Sequence, residues 1–388
     1  MICLLQNSAR DYAWGSSTSI PDYFGIEPTG GPMAEIWFGT HPGSMTNVAG
    51  NGTLLDLRNQ EPLPFLFKIL AAGSPLSIQA HPNSQQAIDG FAAENAAGIP
   101  LDASHRNYKD NKHKPEMLVA LTDFRAVVGF RPVAEAIEVF GLIADHSAAN
   151  EYQRLALAFS AWKETLQSEG VEALFTQLLD TRGKLAEITA DLALAVAPER
   201  SGMGWPSVLT HLYTLPQLEK LYPGDPGIII FLLMNLIELR PLEAIQVGAG
   251  VIHAYLGGLG LEIMAASDNV LRGGLTPKHI DVAELQKVLS FETGEFHTLS
   301  AKKLINGLYE YPRSVSDYLL YRIEVGGQNL LADLKLTNPA ILICTNGEIA
   351  IGDSKENRQI LSKGEAAYLA DANFFSFSGS GTAFLATS

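Results

Sequence analysis

At Pro132-Val133-Ala134-Glu135-Ala136-Ile137-Glu138-Val139-Phe140 the chain changes character. Pro132 suits the start of a helix, where its missing N–H costs nothing. Beyond it, as far as Leu221, the sequence is rich in Ala, Leu, Glu and Gln and poor in Gly. Leu155, Ala158, Phe159 and Trp162 recur at spacings of three and four, the period of a helix with one buried face. On either side the texture is that of short strands. Ala34-Glu35-Ile36-Trp37-Phe38-Gly39 and Pro64-Phe65-Leu66-Phe67-Lys68-Ile69-Leu70 precede the helical segment. Ala244-Ile245-Gln246-Val247 and Val251-Ile252-His253-Ala254-Tyr255-Leu256 follow it. These are apolar runs of strand length between turn residues. The middle of the chain therefore reads as a helical insertion in a mainly β protein.

The rest of the chain fits this frame. Gly257-Gly258-Leu259-Gly260 predicts a turn, and Pro277 to Leu289 predicts one more helix. Five strands are predicted after residue 310: Tyr318 to Val325, Ala340 to Cys344, Glu348 to Ile351, Ala366 to Leu369 and Ala383 to Ala386. Asn346-Gly347 and Gly379 to Gly381 read as their turns, which gives an all-β module of the sandwich or barrel type.

A length of 388 residues with 47% hydrophobic composition supports two or three domains with real cores. Lys and Arg number 27 against 42 Asp and Glu, a net charge of −15. Such a field repels a phosphate backbone, so nucleic acid is not an expected partner. An anionic substrate needs a local basic pocket. The N-terminal Met1-Ile2-Cys3-Leu4-Leu5-Gln6-Asn7 lacks the basic and apolar regions of a signal peptide. The apolar stretch Ile228 to Leu239 is broken by Asn235 and Glu238 and is too short to span a bilayer. With Cys3 and Cys344 as the sole cysteines, neither a disulfide framework nor a Cys-rich zinc site is available. A soluble cytoplasmic monomer without a membrane partner is expected.

Four stretches carry polar residues where chemistry could sit. In Leu76-Ser77-Ile78-Gln79-Ala80-His81-Pro82, a strand period of two puts Ser77, Gln79 and His81 on one face. That face suits a polar cavity, with Gln79 and His81 able to share a metal ion; the alternative is an edge strand with its polar face in water. In Tyr108-Lys109-Asp110-Asn111-Lys112-His113-Lys114-Pro115-Glu116 a dense polar run ends where an apolar strand begins. Glu116 can there point into a cavity mouth, while Lys109, Asp110 and Lys112 suit a solvated loop. His253 and Tyr255 share a strand face, as do Glu262 and Met264. A lone histidine in an apolar strand is commonly a satisfied core residue. With Gln79, His81 and Glu116, however, His253 completes two His, one Glu and one Gln, a set that suits zinc and also accommodates iron or manganese. One carboxylate against a divalent ion leaves such a site about +1. Lastly, Arg272 stands beside Gly273 and Gly274, and Lys278 falls at the start of the predicted helix, where an anion is favoured. The alternative is a turn with two exposed cations. His41, His105, His146, His211, His279 and His297 show no metal-ligand spacing.

Taken together, these stretches resemble the type I mannose-6-phosphate isomerase family. The strongest likeness runs from His253-Ala-Tyr-Leu-Gly-Gly-Leu-Gly-Leu-Glu262 through Asp268-Asn-Val-Leu-Arg272 to Lys278. Departures are Gly273, where the family usually has Ala, Lys112, where Asn is expected, and Gly248, where Pro is usual. The resemblance implies two cupin-type (jelly-roll) β-barrels plus an inserted helical domain. Residues 1–131 and 227–305 would form a discontinuous catalytic barrel, 132–226 the helical insertion and 306–388 a C-terminal cupin-like domain. It implies one zinc ion per chain on Gln79, His81, Glu116 and His253, and a catalytic Arg272. The implied reaction is a zinc-dependent aldose–ketose isomerisation between mannose 6-phosphate and fructose 6-phosphate, through an enediol. Glu262, Lys114 and His113 are the candidates for the proton-transferring group. Ser77 and Lys278 are the candidates for the phosphate. Two rivals are an iron-dependent oxygenase with a two-His, one-carboxylate triad and a non-catalytic sugar-phosphate sensor. Gln79 and the Arg272–Lys278 pair argue against the first. Retention of all four ligands and Arg272 argues against the second.

Overall fold

Phe65-Leu66-Phe67-Lys68-Ile69-Leu70-Ala71-Ala72 forms one strand in which every residue is buried. A strand covered on both faces shows no polar alternation, and Lys68 is the one exception to its apolar run. Phe65, Phe67, Ile69 and Ala71 join a core that also holds Tyr318, Leu320, Ile341, Ile343 and Phe384 from the C-terminal part of the chain. Leu66, Lys68 and Leu70 alternate onto the opposite face. The structure, a computed structural model, describes residues 1–50, 52–181, 183–197, 212–326, 331–370 and 373–388.

Its described strands build two antiparallel sheets of ten and eleven strands. The second takes strands from both sides of the helices. The long strand His253–Ala265 pairs with Phe65–Ala72, Ile78–Ala80, Glu116–Ala120 and Phe124–Phe130. Phe124–Phe130 in turn pairs with Met234–Leu239. Between these two partners in the chain come the helices Val133–Ala149, Gln153–Ser168, Val171–Asp180, Ala186–Ala195 and Leu215–Leu221. Pro132 caps the first of them, as its position predicts. Leu155, Phe159 and Trp162 are buried in one helical core, with Ala158 packed against it. Part of the predicted helical segment, 198–211 with His211, lies outside the described residues.

Several local expectations are corrected. Ile2–Gln6 pairs with Ala366–Leu369, so the first strand belongs to the C-terminal sheet rather than to the barrel expected for 1–131. It covers an edge of Ala366–Leu369, whose other neighbour is Ala340–Asp353, and so pairs backbone groups that would otherwise be open. Lys302–Ile305 joins the same sheet through Leu308–Glu310, ahead of the expected boundary at 306. Gly257 to Gly260 is no turn, for His253–Ala265 runs through it as one strand with a bulge between Tyr255 and Gly257. Gly258 has φ 126°, and a Cβ there would lie 2.6 Å from Phe124 Cδ2 and 2.7 Å from the Asp123 carbonyl. Asn346-Gly347 and Gly379 to Gly381 likewise sit inside the strands Ala340–Asp353 and Asn373–Thr387. The helix predicted from Pro277 begins only at Val282, where the Asp281 side chain accepts from Glu284 N at 3.0 Å and caps it. Lys278 is therefore not at a helix N-terminus. No helix among the described residues is long and apolar enough to cross a membrane.

Candidate metal centre and active-site cavity

Strand pairing brings the predicted ligands to one point. Gln79 lies opposite His253 in one register and opposite Arg272 in the other, and residues opposite one another in an antiparallel pair share a face. Glu116 opens its strand next to Met264, two residues past Glu262. His81, Glu116 and His253 are all buried, and one ligand atom from each lies within 4.8 Å of the others. His81 Nε2 is 3.3 Å from Glu116 Oε1, and His253 Nε2 is 3.4 Å from Glu116 Oε2.

The hydrogen bonds fix which ring nitrogens face inward. His81 Nδ1 lies 2.8 Å from the Asn269 carbonyl and His253 Nδ1 3.0 Å from the Val251 carbonyl. A carbonyl can only accept, so both rings donate from Nδ1 and present an Nε2 lone pair. Burial, opposed by Glu116 and reinforced by Lys114, pushes the His81 pKa down to about 4, keeping its ring neutral at neutral pH. Burial would raise the Glu116 carboxyl, but the Lys114 ammonium beside it holds it well below the usual range. Lone pairs and carboxylate oxygens thus face one another, and buried His81 Nε2 and Glu116 Oε2 make no hydrogen bond. Acceptor facing acceptor in a buried site is unfavourable unless a cation lies between them. The donor set suits a divalent metal ion. The Gln79 amide nitrogen is 3.4 Å from His253 Nε2; turning the amide over would put its oxygen there.

Above this cluster opens a cavity of about 530 Å³, lined among others by Gln79 and Glu116. Four cationic side chains, Lys68, Lys114, Arg272 and Lys278, and three carboxylates, Glu35, Glu116 and Glu262, face it. This local excess of one positive charge stands against −15 for the chain. Lys114 Nζ donates to Glu116 Oε1 at 2.8 Å. Lys68 Nζ donates to Glu262 Oε2 at 2.9 Å and lies 3.6 Å from Glu35 Oε1. The indole N–H of Trp37 donates to Glu35 at 2.8 Å, and the Tyr255 hydroxyl donates to Glu262 at 3.0 Å. Burial would lower Lys68, but Glu262 and Glu35 outweigh it and raise its pKa, so it stays charged. Burial raises the Glu262 carboxyl, with Lys68 opposing. Arg272, then burial, lowers Lys278.

Of the sequence candidates, Ser77, Lys114, Glu262, Arg272 and Lys278 line this cavity. His113 is not among its lining residues. Its Nε2 pairs with Asp317 Oδ1 at 2.7 Å, tying its loop to the C-terminal part of the chain. Lys68, Glu35 and Trp37 were not among the candidates. Lys68 had a signal, as the single charge in an eight-residue apolar run; Glu35 and Trp37 had none. Asn269 had none either. Its side-chain oxygen accepts from Lys109 N and Asp110 N at 2.7 and 3.2 Å, and its amide nitrogen donates to the Asp110 and Lys112 carbonyls, both at 2.8 Å. Asn269→Ala should therefore cost about 2–4 kcal/mol, the penalty for stranding several partly buried backbone groups at once. It should also weaken metal retention, because the backbone whose Asn269 carbonyl orients His81 would lose these anchors. An unchanged urea midpoint would refute the expectation.

The chain is similar to known proteins in sequence and in structure. A family model described as phosphomannose isomerase type I, catalytic domain, matches residues 2–133. The mannose-6-phosphate isomerase of Salmonella typhimurium is 38% identical over 401 residues, covering 97% of either chain. That of Escherichia coli is 36% identical over 389 residues, covering 94% of each. The human enzyme of the same name is 32% identical over 392 residues, covering 89% of this chain and 87% of its own. Among solved structures, a mannose 6-phosphate isomerase bound with zinc and yttrium superposes with a TM-score of 0.87 at 35% identity, covering 100% of this chain and 99% of that one. A zinc-bound holo structure of the same description gives 0.86 at 34%, with the same coverage.

Proposed function

The chain belongs to the type I phosphomannose isomerase family and is an isomerase, and from that premise we propose that it interconverts mannose 6-phosphate and fructose 6-phosphate through an enediol with one zinc ion per chain. The observation that carries the proposal is the set of inward-facing acceptors, His81 Nε2, His253 Nε2 and the Glu116 carboxylate, at the floor of a net-cationic cavity. Gln79 is the fourth ligand in this reading. Zinc held there supplies Lewis-acid polarisation of a substrate oxygen.

The reaction moves a proton between C2 and C1. It needs a base, a stabiliser for the developing oxyanion and an anchor for phosphate. Glu262 is the proposed base. Burial lifts its carboxyl toward the working pH, where a base is most effective, while Lys68 and Tyr255 fix its orientation. Lys114 is the proposed proton shuttle at the same wall. His113 has no part in this assignment, because its ring is engaged with Asp317. Arg272 offers a charged planar donor for the enediolate. Lys278 and Ser77 are the proposed phosphate partners. The same reading takes the two sheets as cupin-type jelly-roll barrels, with the helices of 132–226 inserted into the first.

An isomerase assay coupled to fructose 6-phosphate detection, on protein stripped of metal and reloaded, tests the proposal. Chelation should abolish turnover, and zinc should restore it at about one ion per chain. Full activity in metal-free protein would overturn the metal-dependent reading.

A further inference from the structure

We propose that Asp225, at the end of the helical part of the chain, is a positioning residue for Arg272, so that the helices help set the geometry of the reacting arm. The proposal rests on the assignment of Arg272 made above. Asp225 is buried. Its Oδ1 accepts from Gly227 N at 2.7 Å and from Leu275 N at 2.8 Å, and its Oδ2 accepts from Thr276 N at 3.3 Å. Two of these three donors therefore belong to the turn that follows Arg272, some fifty residues away in sequence.

That turn is strained. Leu275 has φ 52°, a left-handed conformation that a non-glycine residue adopts only when its surroundings enforce it. Its side chain is fully buried. Gly274 has φ 150°, and a Cβ on it would lie 2.6 Å from Gly227 Cα. A Cβ on Gly227 would in turn lie 2.5 Å from Leu275 N. The segments 225–227 and 274–276 thus meet backbone to backbone, and the Asp225 carboxylate closes the contact. Arg272 stands three residues before Leu275 and Lys278 three after it, and all three line the cavity. Tyr222, on the same segment as Asp225, also lines it and donates its hydroxyl to the Pro75 carbonyl at 3.2 Å. Pro75 leads into the strand that bears Gln79. The segment 222–227 is therefore fastened to both walls of the cavity, and a carboxylate sets where the Arg272 wall sits.

The test uses zinc-loaded full-length protein. Asp225→Asn keeps the volume, but its single amide oxygen cannot serve all three donors, and its NH₂ group opposes them. Expected is a fall in kcat/KM of about 10- to 100-fold, since small displacements of a reacting group have effects of this size. Most of the fall should lie in kcat, with zinc content unchanged. Asp225→Glu, which keeps the charge but displaces it, should fall between the two; it carries the same test should the Asn chain fail to fold. In an Arg272→Ala background, replacing Asp225 should change kcat/KM by less than about twofold, because the group it positions is gone. Multiplicative losses in that background, or zinc lost in proportion to activity, would make Asp225 a general structural residue and overturn the proposal. Near-normal kinetics of Arg272→Ala alone would instead overturn the assignment of Arg272, and the proposal with it.

Discussion

Glu116→Gln should leave a folded protein that no longer holds its metal, with affinity down by more than about 100-fold and kcat by about 10³-fold. The substitution keeps the shape of a buried side chain but removes the one negative charge set between two imidazole lone pairs. Without that charge the remaining neutral ligands offset less of the cost of desolvating a divalent cation. The amide can instead donate to an Nε2 atom, so the metal-free variant need not be strained. Lys114 would lose the charge of its 2.8 Å partner, and that adds a modest loss of stability. The size of the kinetic effect follows from removing the Lewis acid that a metal held there would supply. Elemental analysis beside the coupled assay reads both quantities. Stoichiometric zinc with near-normal turnover would remove the metal from the mechanism.

How far the sequence foretold this site depends on what kind of signal each residue carried. Gln79 and His81 announced themselves by period, because a three-residue strand flanked by polar positions has one polar face. Glu116 was marked by its place at the junction of a polar run and a fully buried strand. His253 gained meaning only beside the other three, and the register that sets it against Gln79 is a long-range property that no local pattern encodes. The Lys68–Glu262 pair is of the same kind, 194 residues apart and joined only by sheet pairing. His113 stands apart from the other candidates, off the lining of the cavity. In sequence it neighbours Lys114 and Glu116, but a change of one residue in a strand or its approach turns the side chain away, here toward Asp317.

The fold itself was readable at the level of texture and misread at its glycines. Helical period and strand period were clear because each recurs over many residues, and Pro132 falls at the helix start as predicted. A glycine with positive φ serves a tight turn and a bulge equally well. Gly258 takes its positive φ inside the strand, just past the bulge between Tyr255 and Gly257, where Phe124 and Asp123 at the start of a neighbouring strand leave no room for a side chain, contacts invisible to a local reading. The pairing of Ile2–Gln6 with Ala366–Leu369 was hidden for the same reason, since the partners stand at opposite ends of the chain.

Arg272→Ala should lower kcat and kcat/KM together by about 10²- to 10³-fold and leave zinc content unchanged. Arg272 lies opposite Gln79 in the eleven-stranded sheet, so its side chain shares a face with a proposed metal ligand while standing outside the ligand set. Burial lowers its pKa, yet a guanidinium starts so high that it remains charged at any working pH. In the proposed reaction its cost of desolvation is offset by the anion it would meet, and an enediolate would be more strongly attracted than the neutral sugar carbon skeleton that precedes it. Binding that grows in the transition state raises kcat, whereas binding equal in both states lowers KM alone. If Arg272 merely anchors phosphate, the variant will show a raised KM with kcat nearly intact, and the oxyanion role will be lost. Arg272→Lys separates charge from shape: recovery to within about tenfold of the native rate would assign the effect to charge, while a loss close to that of Ala would assign it to the planar fork of donors. The fork has a structural counterpart in the strained turn beyond it. A turn with Leu275 at φ 52° and Asp225 across three backbone N–H groups is a costly way to hold a point charge, and a reasonable one to hold a plane.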